Sequence, residues 1–214
     1  MEPTLGFHDV YSIHDSDLLA FIPRPAYALL LTCPQTIFIA ARQAELEAQP
    51  EYTGSGSQEP VIWYRQTIGH ACGLIALLHG LSNGASKEYI NQDSLLNKLL
   101  QEVVPLEPTE RAWVLYNSAE LEAAHGAAAN LGDTRAPRRE EDNANHFICF
   151  VKGDDGHLWE MNGGMKGPID RGVLAQEEDM LSARALELGV RSFMKHATNH
   201  EVDFSLVAIA PSLN

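Results

Sequence analysis

The chain is poor in cysteine, in basic side chains and in long apolar runs, and each shortage excludes something. Its three cysteines, Cys33, Cys72 and Cys149, are odd in number and irregular in spacing. That excludes a disulfide scaffold and fits free thiols in a reducing compartment, so the cytoplasm is expected, with the nucleus as a second site. No Cys-x-x-Cys or His-Glu-x-x-His pattern occurs, so no zinc site is expected, and no cofactor is implied. Fifteen basic residues face 29 acidic ones, for a net charge of −14. Such a surface repels nucleic acid and anionic lipid, so neither is an expected partner; it would speed encounter with a basic protein. No apolar run reaches the roughly 20 residues that cross a bilayer. Met1-Glu2-Pro3-Thr4 lacks the basic and apolar regions of a signal peptide, and none is expected.

What is present reads as one globular domain over residues 1–214, 45% hydrophobic and 21% charged. There is no internal repeat and no linker of domain size. Asp15 to Leu19 reads as a capped helical turn. Ile22-Pro23-Arg24-Pro25 is extended. Tyr27 to Thr32 is a buried strand, and Ala40 to Gln49 is helical. Thr53 to Gln58 is a surface loop. Helices are predicted over Gly73–Leu81, stopping at Asn83-Gly84, and over Ser94–Val104 with Ser94 as N-cap. A third begins near Pro108 and carries Trp113, Leu115 and Leu121. Ala123 to Asn145 has few large apolar groups and reads as a long exposed loop. A hairpin follows, Phe147–Val151 and His157–Met161 around Gly153–Gly156. Glu177 to Lys195 reads as one long amphipathic helix, and Phe204 to Ala210 as a closing strand.

The chemistry gathers around Cys72. It ends the polar run Gln66-Thr67-Ile68-Gly69-His70-Ala71 and opens an apolar helix. A helix N-terminus carries partial positive charge and favours a thiolate there. Gln66 offers an amide to a developing oxyanion. A cysteine nucleophile also needs a base, and the base needs an orienting partner. Of nine histidines, His146 stands apart, at a loop-to-strand junction where functional groups are often displayed. A four- or five-residue hairpin loop would set His146 opposite Asn162 or Gly163. Asn162 could then accept the Nδ1 proton of His146 and leave Nε2 toward Cys72, a Cys–His–Asn arrangement of the papain type. Asn162-Gly163-Gly164 could equally be a plain strand-ending turn.

The octet Gln66-Thr67-Ile68-Gly69-His70-Ala71-Cys72-Gly73 closely resembles the active-site signature of the ubiquitin C-terminal hydrolase family of deubiquitinating cysteine peptidases. Val10-Tyr11, Ile22–Leu31, His146-Phe147-Ile148, Gly156–Glu160 and Phe204–Ala210 extend the resemblance along nearly the whole chain. It implies an α+β, papain-like fold with a central, mostly antiparallel sheet flanked by helices and a knotted backbone. By the same resemblance Cys72 is the nucleophile, His146 the base and acid, and Gln66 the oxyanion-hole side chain. Residues 123–145 match the crossover loop above the cleft. Ubiquitin, or a ubiquitin-like protein, is the implied partner of a monomer. Trp63, Tyr64 and Leu158 are candidates for the walls of the approach, with burial in the core the stronger alternative.

Three departures stand out. His70 replaces the family's usual Asn. Asn162 replaces its aspartate, in Glu160-Met161-Asn162-Gly163. An N-terminal strand and helix that members carry ahead of the segment matching Phe7–Tyr11 are expected to be missing. The resemblance therefore leaves a second expectation open, a ubiquitin-binding module with weakened chemistry.

Overall fold

A computed structural model describes residues 4–131, 144–197 and 204–213. In chain order the elements are β1 (Leu5–Asp9), α1 (Ser16–Leu19), β2 (Ala28–Pro34), α2 (Gln35–Ala48), α3 (Cys72–Leu81), α4 (Leu95–Val103), α5 (Pro108–Asn117), α6 (Ala119–Ala129), β3 (Asn145–Lys152), β4 (His157–Met161), β5 (Ile169–Val173), α7 (Ala183–Leu188), α8 (Val190–Met194) and β6 (Ser205–Pro211). The strands form one antiparallel sheet in the order β1-β6-β2-β3-β4-β5. This is the α+β architecture expected.

The central strands are buried on both faces, which explains their unbroken apolar runs. Leu29, Leu31, Ile148, Phe150 and Ala208 pack beneath α2, α7 and α8. Ala28, Leu30, Cys149, Val151 and Ile209 pack on the other face with Ala76 of α3 and with Trp63. A further apolar layer joins Ile75 and Leu78 of α3 to α4, α5 and α6 through Leu99, Val103, Leu115 and Leu121.

Two buried charge clusters hold the layers together. Glu160 of β4 is fully buried and paired with Arg42 of α2 at 2.7 Å and with Arg171 of β5 at 2.8 Å. Arg42 also lies 3.9 Å from the centre of the Phe193 ring. On the far side, fully buried Arg111 of α5 pairs with Glu59 and donates to the carbonyls of Trp63, Val103 and Val104.

Several expectations need correction. The helix expected from Ala40 begins at Gln35, directly after Pro34. The helix begun at Pro108 breaks at Ser118, whose side chain caps the following helix by accepting from Leu121 N–H. Residues 119–129, including the first part of the expected 123–145 loop, are therefore helical, and Asn145 already belongs to β3. Residues 132–143 of that loop lie outside the described residues. The long helix over 177–195 is two short ones separated by Gly189, at φ −95° and ψ −95°. A β-carbon there would stand 3.0 Å from the Ala185 carbonyl oxygen and 3.2 Å from the Phe150 ring. The edge strands β1 and β5 carried no clear alternation and were not foreseen.

Candidate active site

Cys72 is the first residue of α3 and is buried. Ala71 precedes it and makes no side-chain cap, and the partial positive charge of the helix start lies at Cys72. One residue earlier, His70 has φ +57°, the left-handed region. Asn and His tolerate that region better than most side chains. The turn it makes sets the entry to the helix. α3 lies on β3: a β-carbon at Gly73 would stand 3.7 Å from the Phe147 ring. The nucleophile's helix thus packs beside the strand that carries His146.

His146 pairs with Cys33 across the β2–β3 ladder and is 8% exposed. Its ring packs on Phe38, centroids 4.6 Å apart. Its Nε2 lies 3.0 Å from Asn162 Oδ1. The Gly164 N–H also donates to that oxygen, at 2.8 Å. An amide oxygen only accepts, so His146 Nε2 carries the hydrogen and Nδ1 is left with the free lone pair. Burial pushes the imidazole below its usual pKa, against the opposing pull of the Asn162 bond. The neutral ring is therefore the resting form, with Nδ1 as its basic atom.

The expected contact is present, but its geometry differs from the expectation. The hairpin closes with a three-residue loop, Gly153 N–H donating to the His157 carbonyl at 2.9 Å and Gly156 at φ +79°. Cys149 consequently faces Met161 and Lys152 faces Leu158. His146 is not the ladder partner of Asn162 or Gly163; the two side chains meet beyond the end of the ladder. The ring is also reversed, with Nε2 rather than Nδ1 toward Asn162.

Asn162 is 2% exposed, and its backbone carbonyl accepts from Trp63 Nε1–H at 3.1 Å and from Met165 N–H at 3.2 Å. Its Nδ2 has no partner among the described residues. Next to it, Gly163 accepts from Gln66 N–H at 2.9 Å. A β-carbon at Gly163 would stand 2.8 Å from Ile75 Cγ2 and 2.9 Å from Gln66 N, so no larger residue fits between loop and helix. The Gln66 side chain donates from Nε2 to the Ile68 carbonyl at 3.2 Å, which fixes its amide and leaves its second N–H unassigned by that bond.

The residues leading to Gln66 form no strand. Polar side chains at the far end of α3 take a strand's place. Asn83 accepts from Ile62 N–H at 2.6 Å and donates to the Ile62 carbonyl at 2.9 Å. His79 Nε2 accepts from Tyr64 N–H at 2.9 Å, and the Tyr64 hydroxyl donates to Ser82 at 3.0 Å. His79 is fully buried, and burial drives its pKa down to about 3. The sequence marks Asn83 only as a helix stop and does not single out His79. A histidine one turn before an asparagine, on the helix after the loop, was the available clue. Trp63, Tyr64 and Leu158 are all buried in the core.

The chain matches the family model for ubiquitin carboxyl-terminal hydrolase, family 1, over residues 1–195. It is 34% identical over 166 residues to ubiquitin carboxyl-terminal hydrolase 3 of Arabidopsis thaliana, covering 78% of this chain and 68% of that one. It is 35% identical over 205 residues to ubiquitin carboxyl-terminal hydrolase isozyme L1 of Equus caballus, covering 95% and 86%. Among solved structures, the Trichinella spiralis UCH37 catalytic domain bound to ubiquitin vinyl methyl ester superposes with a TM-score of 0.73 at 18% identity, covering 99% of this chain and 88% of that one. Among the described residues, no helix is long and apolar enough to cross a membrane.

Proposed function

The chain belongs to ubiquitin carboxyl-terminal hydrolase family 1, and from that premise we propose that Cys72, His146, Asn162 and Gln66 carry its chemistry. The enzyme is a deubiquitinating cysteine hydrolase that acts at the carboxyl end of ubiquitin. His146 Nδ1 takes the thiol proton, and Cys72 Sγ attacks the carbonyl of ubiquitin's last glycine. The Cys72 N–H and the Gln66 amide hold the oxyanion, each such donor typically worth about 3 kcal/mol of barrier. The imidazolium then gives its proton to the leaving amine or thiol. A water, deprotonated by the same nitrogen, releases the acid from the thioester.

The observation that carries this reading is the orientation of His146. Asn162 holds Nε2–H and leaves Nδ1 as the base. We assign residues 1–214 to one monomeric catalytic domain, cytoplasmic and also nuclear, and give the α6–β3 connection the task of excluding bulky leaving groups. The test is turnover of ubiquitin bearing a fluorogenic leaving group, with a ubiquitin-like protein assayed in parallel. Turnover that survives Cys72→Ala overturns the assignment.

One observation favours a second reading, a ubiquitin-binding module with little activity: position 162 holds an amide whose Nδ2 is buried and unpartnered among the described residues. An electrophilic ubiquitin probe separates the two. Covalent labelling at Cys72 supports the hydrolase; tight reversible binding without labelling supports the module.

A further inference from the structure

We infer that Trp63 is a positioning residue of the reaction, holding Asn162 in place through its indole N–H. This rests on the reading that Asn162 orients His146. Trp63 lies three residues before Gln66 and is fully buried. Its Nε1–H donates to the Asn162 backbone carbonyl at 3.1 Å. The same loop and turn are tied a second time by Gln66 N–H to the Gly163 carbonyl, at 2.9 Å. The two bonds clamp the turn carrying the orienting amide onto the loop carrying the oxyanion donor. On that held backbone the carboxamide oxygen of Asn162 sits 3.0 Å from His146 Nε2 and 2.8 Å from Gly164 N.

A positioning role is separable here from a merely structural one. The Asn162 carbonyl also accepts from Met165 N–H at 3.2 Å. Removing the indole N–H therefore leaves no buried acceptor unpaired, and the usual penalty for an orphaned group does not apply. A phenyl ring at position 63 keeps most of the apolar contact with Val61, Ala76 and Met161. What disappears is the lateral restraint on residue 162, together with the volume of the second ring, which a benzothienyl side chain restores.

The experiment is steady-state turnover of ubiquitin carrying a fluorogenic leaving group. It uses the full chain, Trp63→Phe, Asn162→Ala and the double variant, with a thermal melt of each. Because Trp63→Phe could fail to fold, a second form places benzothienylalanine at position 63, where sulfur replaces the N–H at nearly constant shape. Either change lowers kcat about tenfold and leaves KM within about twofold. The acid limb of the kcat/KM profile moves to lower pH, because the Asn162 bond that raises the His146 pKa is loosened. In the Asn162→Ala background the same change has less than about a twofold effect. An unaltered kcat and pH limb, or an equal loss in both backgrounds, overturns the inference. If Cys72→Ala abolishes turnover while the Trp63 variants change nothing, only this inference fails. If turnover survives Cys72→Ala, the underlying assignment fails with it.

Discussion

Two arms meet at the site, and they are built on different principles. The arm carrying His146 is a strand in the interior of a six-stranded sheet, set by backbone ladders on both sides. The arm carrying Gln66 and leading to Cys72 has no ladder. It is held by His79, Asn83 and Ser82 of α3 and the α3 C-terminus, and by Arg111 of α5. A ladder repeats the same bond at every residue, so no single side chain decides it. The loop depends on a few individual groups, among them a titratable imidazole and an ion-paired guanidinium. The first arm should therefore fail only when its buried charges are broken, and the second when one side chain changes.

The largest effect should come from Glu160→Ala, which strands Arg42 without a counter-charge beneath the sheet and leaves Arg171 only Glu45, at 3.1 Å. Breaking a buried pair from one side costs about 3–5 kcal/mol, so urea unfolding should show a loss of that size. A loss below about 1 kcal/mol would mean that the ladders alone hold this arm.

The next test separates the arms by pH. His79 is neutral in the fold, with its pKa depressed to about 3. Its contribution is present above the ordinary histidine range and is lost as the pH falls from about 6.5 toward 3, where the unfolded chain takes up the proton and the fold resists it. Stability measured across that range should fall more steeply for the native protein than for His79→Gln, which keeps an acceptor for Tyr64 N–H and does not titrate. Parallel curves would show that His79 does not govern the loop.

Asn162→Asp sharpens the comparison at the point where the arms touch. A carboxylate beside Nε2 stabilises the imidazolium, so the acid limb of the kcat/KM profile, which follows His146, should move to higher pH. The rate should rise by about threefold to tenfold. An unchanged profile would mean that residue 162 does not set the charge of the histidine. The smallest effect belongs to His70→Asn, which relieves left-handed strain at φ +57° and should raise stability by about 0.5 kcal/mol in a thermal melt. A loss would show that the imidazole makes contacts worth more than the strain.

The same division explains what could be read in advance. The apolar runs of β2, β3 and β6 and the octet around Cys72 are local patterns, and each lay close to where it was expected. So did the capped turn at Asp15 and the Ser94 cap. Hairpin register hung on whether Gly156 would adopt a positive φ and shorten the loop, which composition does not reveal. The break at Gly189 depends on the approach of Phe150, a residue far away in the chain. The ion pairs Arg42–Glu160 and Arg111–Glu59 join residues 118 and 52 positions apart, and nothing local marks a charged residue as buried. The sequence points to a contact of His146 with Asn162 but not to the ring nitrogen that makes it, because that depends on how the imidazole turns in its pocket against Phe38.

The position of β6 has a consequence for synthesis. Residues 205–211 insert between β1 and β2, two segments that lie far ahead of them in the chain. While they remain in the ribosomal tunnel, each of those strands presents an open edge, a template for pairing with other chains. Closure of this sheet therefore waits for residues 205–211, and a nascent product that stops short of Ser205 keeps both edges open.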